Sequence, residues 1–441
     1  MANSFLSQIE DALGAPGSMT PSVTEKGTAE LPSCFAVTDF AVATMTAATR
    51  QLGALTGARE MVIDRRLASL WFDMTLRPQG WALPDAWDAI AGVYQASDGW
   101  IRLHTNAPHH REAALRVLGC QADKAAVASA VASWQKSQLE DAVVTEKGAA
   151  AAMYSIAEWS ASPQGQAVAQ DPLITWDEVA DCNSKVALGN LKVLDLTRVL
   201  AGPVATRFLA GYGAHVLRID PPWWSEPGVE PEVTLGKKRA ALDLTDATDR
   251  ARFEALLAKA DVLVHGYRPG ALSGLGYDPE RLRTIAPYVI DVSLCAYGLQ
   301  GPWANRRGFD SLVQMSCGIA HEGMVRRNAD HPVPLPVQAL DHATGYLMAA
   351  AVLRAIRVRN ETGRILSARL SLARTAFLLI SEPAHEFKGK DIEETAEDLS
   401  EVTEMTGWGP AQRLRFPIHM DGAKPNWPFP AGQLRLDQPE W

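Results

Sequence analysis

The chain has 441 residues, 47% of them hydrophobic, which is enough apolar material for a large core and more than one structural unit. Its formal net charge of −9, with charges interspersed and no acidic or basic tail, argues against a nucleic-acid partner or an anionic-membrane surface. The five cysteines, Cys34, Cys120, Cys182, Cys295 and Cys317, are scattered and form no CxxC pair, so a reducing compartment fits better than a disulfide framework.

The first stretch, MANSFLSQIEDALGAPGSM, lacks the basic start and apolar centre of a signal peptide. No apolar run approaches the roughly 20 residues a membrane span needs. A cytoplasmic protein with no membrane partner is therefore expected. Next comes AVTDFAVATMTAA (36–48), an alanine-rich helical run beginning near Asp39, followed by VIDRRLASLWF (62–72). VYQASDGWIRLH carries a hairpin signal, with Ser97, Asp98 and Gly99 turning between two β-rich runs. Helices are expected from His109 through REAALRVLG, along AAVASAVASWQKSQLEDAV, and through SIAEWSAS. His109 and His110 are adjacent, so on a helix they diverge. They read as an exposed helix start rather than a metal pair, and no metal site is expected. A linker is expected near 172–190.

From there the pattern changes. KVLDLTRV, HVLRID, RAALDL, DVLVHGY and YVIDVSL are short apolar strands, separated by helical runs such as GPVATRFLAGYG and DATDRARFEALLAKA, the latter with an aspartate at its start. Strand–helix alternation at this spacing means βαβ units and a parallel sheet covered on both faces. The fold class is α/β: a Rossmann-like open parallel sheet domain with a smaller α+β domain. The expected division is a partial repeat over 1–75, the small domain over 76–186, the sheet domain over 187–380 and a return segment over 381–441. The repeat lies in the likeness of 36–48 to ALDHATGYLMAA (339–350), with Asp39 facing Asp341, and of 62–72 to ILSARLSLARTAF (365–377).

The first strand–helix turn, TRVLAGPVAT, is no GxGxxG, and the chain has neither a P-loop nor a GxSxG elbow. Yet Ala201, Gly202 and Pro203 open a helix at the carboxyl end of a parallel strand, which is equally an ordinary tight turn and a natural anion site. Two basic clusters, Gly236-Lys237-Lys238-Arg239 and Tyr267-Arg268-Pro269-Gly270, flank that crevice and suit phosphates and an aromatic base. Asp341 precedes an apolar helix. By position it reads as an N-cap, or as a nucleophile whose pKa the helix end keeps low, with Gly345 one turn on giving substrate close approach.

These blocks, taken in order as VLDLTRVLAGPVATRFLAGYGAHVLRID, GKKRAALDL, ADVLVHGYRPGALSGLGY, DVSLCAYGLQGPWANRRGFDSLVQMSCG and ALDHATGYLMAAAVLRA, resemble the family III CoA-transferases, which include formyl-CoA and carnitine CoA-transferases and, as relatives, α-methylacyl-CoA racemases. The resemblance covers nearly all of 187–380, and YQASDGWIRLH and AEWSASPQGQAV resemble the family's small domain. The order is unusual: small-domain-like sequence precedes the sheet domain, as in a tandem pair that has lost its first nucleotide-binding half, and the tail from GWGPAQRLRFPIHMDG resembles the family's closing segment.

The resemblance implies transfer of CoA from an acyl-CoA to a carboxylic acid, with both as substrates and no prosthetic group. It implies Asp341 as the nucleophile, forming a mixed anhydride and then an aspartyl-CoA thioester. It places CoA against Arg198, Val199, Leu200, Ala201, Lys238, Gly266, Tyr267 and Arg268, and implies an interlocked homodimer. Gly266 stands where the family often has asparagine. Phe309 stands where racemases have histidine; His342 is a candidate substitute for the second base but reads as helix surface. A racemase or isomerase and a non-catalytic acyl-CoA-binding protein remain as alternatives, and Asp39 is expected to be a structural relic.

Overall fold

The computed structural model describes residues 2–15 and 21–441. Met1 and residues 16–20, part of the stretch read above against a signal peptide, lie outside the described residues.

The strands alternate apolar side chains to two faces, and both faces are covered. Lys192–Leu196 sends Val193 into the larger apolar core and Leu194 and Leu196 into a second one on the opposite face. Helices Ala201–Gly211 and Ala339–Thr362 pack on the first face; Ala247–Leu257 and Pro279–Ile285 cover the second. The sheet has seven strands, in the order Lys238–Ala241, His215–Asp220, Lys192–Leu196, Val262–His265, Ile290–Cys295, Arg364–Ser371 and Thr175–Asp181. The first six are mutually parallel. In chain order they run 3-2-1-4-5-6, so the winding reverses between Lys192–Leu196 and Val262–His265, and a crevice opens at their carboxyl ends.

The seventh strand corrects the sequence reading. Thr175–Asp181 lies in the expected linker but pairs antiparallel with Arg364–Ser371. Its charged residues face solvent: Asp177 meets Arg369 at 2.7 Å and Glu178 meets Arg364 at 3.0 Å. These charges suit an exposed edge strand, and they make the segment look like linker.

The small unit holds the expected hairpin, Gly92–Ala96 with Gly99–Leu103, extended by Ala150–Ala152. It has its own core, built on Tyr94, Ile101, Leu103, Val127, Leu139 and Val143. The single helix expected over 125–143 is two, Lys124–Val131 and Lys136–Thr145. The hairpin turn separates them: Ser97 N–H and Oγ both donate to the Trp134 carbonyl at 2.9 and 2.8 Å, and Asp98 accepts the Lys136 N–H at 2.7 Å.

Helix Val37–Thr56 packs along Ala339–Thr362. Each is preceded by a residue of nearly identical backbone, Ala36 at φ −76, ψ 59 and Gln338 at φ −75, ψ 61. Each ends at a left-handed glycine, Gly57 and Gly363. Each is followed by a strand and a helix: Glu60–Asp64 with Arg65–Leu70, and Arg364–Ser371 with Leu372–Ser381. Asp39 and Asp341 are both the third residue of their helix. The N-terminal copy lacks the rest of a large sheet. It is completed by Ser22–Lys26 and, from the far end of the chain, Ile418–Met420. One continuous core runs from Phe5 through Phe40 and Trp71 to Met420. Among the described residues no helix is long and apolar enough to cross a membrane.

Candidate functional site

The turn after Lys192–Leu196 is held from beneath. Asp195, fully buried, accepts from the Thr197 N–H at 2.8 Å, from the Thr206 hydroxyl at 2.6 Å and from Lys237 Nζ at 3.1 Å. Burial lowers the Lys237 pKa to about 8, against the opposing pull of Asp195. Gly202 is small for a packing reason, because a Cβ there would lie 2.3 Å from Thr197 Cγ2. Val199 sits at φ 66, a costly conformation for a β-branched residue. Its N–H donates to Glu226 at 2.8 Å.

Over this turn lies a cavity of about 390 Å³. Arg198, Val199, Leu200, Ala201, Gly266, Tyr267 and Arg268 all line it, and so does Asp341. The Arg198 guanidinium lies 4.8 Å from the Trp224 ring and 5.6 Å from the Tyr267 ring. Across the mouth, burial and the like charge of Arg268 lower the Arg307 pKa. A site that brings guanidiniums together in this way offers an anion a favourable place.

Lys238, expected beside the ligand, does not line this cavity. It belongs to the outermost strand, and its ammonium reaches the Glu440 carbonyl at 3.5 Å. The rest of its cluster is spent internally, Lys237 on Asp195 and Arg239 on Asp437 at 3.6 Å. Arg306, Arg307, Trp224 and His110 were not anticipated as cavity residues. His110 is buried, not an exposed helix start, because its helix end packs on Phe309 with ring centroids 5.8 Å apart.

Asp341 corrects its own reading as an N-cap. Its helix is capped from elsewhere: Asp310 Oδ2 accepts the N–H groups of Leu340 and Asp341 at 2.8 and 2.9 Å. The other Asp310 oxygen accepts from Gln314 at 2.5 Å, and Gln314 accepts the Leu335 N–H at 2.7 Å. The Asp341 carboxyl is thereby released from capping. Its pKa is not kept low; burial and the charge of Asp310 raise it well above the usual carboxylate range. Burial also lifts Asp310, to about 6. Gly345 faces protein rather than cavity, since a Cβ there would lie 2.5 Å from the Ala201 carbonyl oxygen, so its role is close helix packing. His342 is not helix surface: it is buried and stacks on Phe72 at 5.1 Å.

A second cavity, of about 490 Å³, opens on the other side of Asp341 toward the small unit. Val199, Leu200, Trp224, Phe309 and Asp341 line both cavities. Asp341 thus stands at the junction of a basic chamber and a second chamber. Asp39, its counterpart, is closed off. Arg65 pairs with it at 2.7 Å and with Glu25 at 2.9 Å, and the hollow there holds about 20 Å³. Where Arg65 begins its helix, Leu372 begins the helix of the other copy and offers no charge.

The chain is similar to known proteins over part of its length. Residues 188–406 match the model of CoA-transferase family III. The chain is 34% identical over 198 residues to the succinyl-CoA:glutarate CoA-transferase of Mus musculus, covering 42% of this chain and 45% of that protein. It is 30% identical over 305 residues to the acetyl-coenzyme A transferase nodX of Hypoxylon pulicicidum, covering 62% and 51%. The solved structure of Rv3272 from M. tuberculosis aligns with a TM-score of 0.39 and 28% identity over 46% of this chain and 59% of that one. The chain spans about half the length of the curated relatives it matches.

Proposed function

The chain belongs to CoA-transferase family III over residues 188–406, and from that premise we propose that it moves CoA from an acyl-CoA thioester to a carboxylic acid, with Asp341 as nucleophile. The observation that carries the reading is the place of Asp341, a buried residue that lines two chambers, of which one is lined by arginines and aromatic rings. CoA lies in the first chamber, its phosphates toward Arg198, Arg268 and Arg307 and its aromatic base near Tyr267 or Trp224. The acyl group extends into the second.

The Asp341 carboxylate attacks the thioester carbonyl. The C–S bond breaks, the CoA thiolate leaves, and an aspartyl mixed anhydride remains. The thiolate, a good leaving group because thiols ionise near pH 8.5, attacks the aspartyl carbon and releases the donor acid as its carboxylate. The resulting aspartyl-CoA thioester meets the acceptor carboxylate, and the same two steps run in reverse. Each step exchanges one activated acyl group for another, so no prosthetic group is called for. A raised Asp341 pKa makes the ionised carboxylate a stronger nucleophile. Asp310, by holding the Asp341 N–H, fixes the residue's backbone without occupying its carboxyl.

Phe309 lines both chambers where a racemase would place a histidine, and the nearby imidazoles are poor bases: burial pushes His104 and His342 each down to about 3. This favours transfer over proton exchange. The pairing of Asp39 with Arg65 supports its reading as a relic. An interlocked homodimer and a cytoplasmic location belong to the same proposal. A screen of acyl-CoA donors against carboxylic acids, following CoA esters by mass spectrometry, tests it. Exchange of an α-proton into deuterated water without CoA transfer would identify a racemase, and CoA binding without exchange of labelled acid a binding protein.

A further inference from the structure

The second chamber has a one-sided charge. Among the described residues no lysine or arginine lines it, while five carboxylates besides Asp341 do: Asp73, Asp85, Asp88, Glu226 and Glu232. Three of the five are matched from behind the wall. Asp88 meets Arg111 at 3.3 Å, Glu226 pairs with Arg218, and Glu232 pairs with Arg207 and, at 3.3 Å, Arg413. Asp73 accepts only the Met74 N–H, and Asp85 is exposed to the chamber. Two further arginines lie outside the lining: Arg77, which acts on Asp73 but is paired with Glu394, and Arg102, which stacks on the Trp87 ring at 4.7 Å.

Two imidazoles complete the wall, and they are held neutral. His104 and His342 are 5% and 2% exposed, and the Nδ1 of each has no hydrogen-bond partner. Each stacks on a phenylalanine, His104 on Phe309 at 3.7 Å and His342 on Phe72 at 5.1 Å. Burial lowers both pKa values to about 3, so neither supplies positive charge at neutral pH. An unpartnered neutral nitrogen in such a wall offers a ligand atom one hydrogen bond but no charge. Phe72, Trp87 and Trp224 add aromatic surface.

We propose that this chamber selects acids whose atoms beyond the reacting carboxyl carry no negative charge: monocarboxylic acids with an uncharged or quaternary-ammonium chain, and not dicarboxylic acids. The inference rests on the transfer reading in placing the acyl group beside Asp341. A second carboxylate in the chamber would meet Asp73 and Asp85 with no cation in the lining to receive it, in a partly dry space where like charges repel strongly. An ammonium would meet the same two carboxylates and the aromatic faces.

The test uses three CoA esters of matched length: glutaryl-CoA, pentanoyl-CoA and 4-(trimethylammonio)butanoyl-CoA. Their binding to Asp341→Asn protein is measured by calorimetry, and transfer from acetyl-CoA to the three free acids is measured with the unaltered chain. Glutaryl-CoA binds at least about tenfold more weakly than pentanoyl-CoA, and the ammonium ester binds at least as tightly as pentanoyl-CoA. Asp73→Asn with Asp85→Asn narrows the gap. Glutaryl-CoA binding as tightly as pentanoyl-CoA, or glutarate accepting CoA as fast as pentanoate, overturns the inference while leaving transfer intact. The predicted binding order with no transfer to any acid instead overturns the transfer reading and leaves the chamber's preference standing.

Discussion

Replacing Asp310 by asparagine removes its charge and keeps its cap on the helix end, at the cost of the bond from Gln314, whose amide NH2 then meets another NH2. Asparagine keeps an oxygen where Asp310 Oδ2 accepts the Leu340 and Asp341 N–H groups at 2.8 and 2.9 Å. What it removes is a negative charge beside the Asp341 carboxyl. The working separation taken for two carboxylates linked through one backbone N–H is about 6 Å. At an effective dielectric of about 20 they repel by about 3 kcal/mol, or about 2 pH units. The other groups near the pair do not reverse the sign. Arg102 is a cation facing Asp310, His104 and His342 are neutral, and Arg207 and Glu232, near His342, are paired with each other. On the proposed mechanism, transfer needs the Asp341 carboxylate and is lost as pH falls through its pKa. Asp310→Asn therefore moves the acid limb of kcat/KM down by about 1–2 pH units, with activity retained above it. The assay is CoA exchange between a donor thioester and labelled acid across pH. Asp310→Ala, which leaves two helix-end N–H groups unmet, is the control for capping and loses about 2–4 kcal/mol of stability. An acid limb that stays in place or moves up in the asparagine variant refutes the reasoning.

Asp341→Asn should stabilise the fold at neutral pH. Both carboxyls of the pair are raised, Asp310 to about 6, so their contribution is fully present below the unfolded values near pH 4 and is lost as pH rises through the folded ones. The variant is more stable than the unaltered chain by about 1–3 kcal/mol near pH 8, and the gap closes toward pH 4 in denaturant melts; a gap that does not change with pH contradicts the shift. Arg268→Ala and Arg307→Ala each weaken CoA binding about tenfold by calorimetry, whereas Lys238→Ala leaves it within about twofold. Asp39→Asn leaves transfer unchanged and, by freeing Arg65, lowers stability by about 1 kcal/mol. Sedimentation at micromolar concentration shows a dimer; a stable monomer counts against interlocking.

The sheet was legible because its strands are short apolar runs whose alternation with helices is local; the order in which they pair, and so where the winding reverses, is set by tertiary contacts. Asp341 and most of the residues that line the first cavity were legible through the same turns together with the family resemblance. Asp310 was not. In RRGFDSL it reads as the start of its own helix, yet it caps a helix some 30 positions later. Only the tertiary fold joins them. Lys238 misled for the same reason, since a basic cluster before a strand says nothing of how far that strand lies from the crevice. Gly345 and Gly202 suggested room for a ligand, and the space each spares is filled by protein. The second chamber joins 72–107 to 336–342, segments whose proximity no periodicity records.

The most direct measurement is the site of covalent attachment. The chain is incubated with an acyl-CoA, quenched with hydroxylamine or borohydride, digested and read by mass spectrometry. A modification on the peptide containing Asp341, absent from Asp341→Asn protein, is predicted. A modification on the Asp39 peptide instead, or normal turnover by the Asp341→Asn protein, contradicts the assignment of Asp341 as the group that carries CoA.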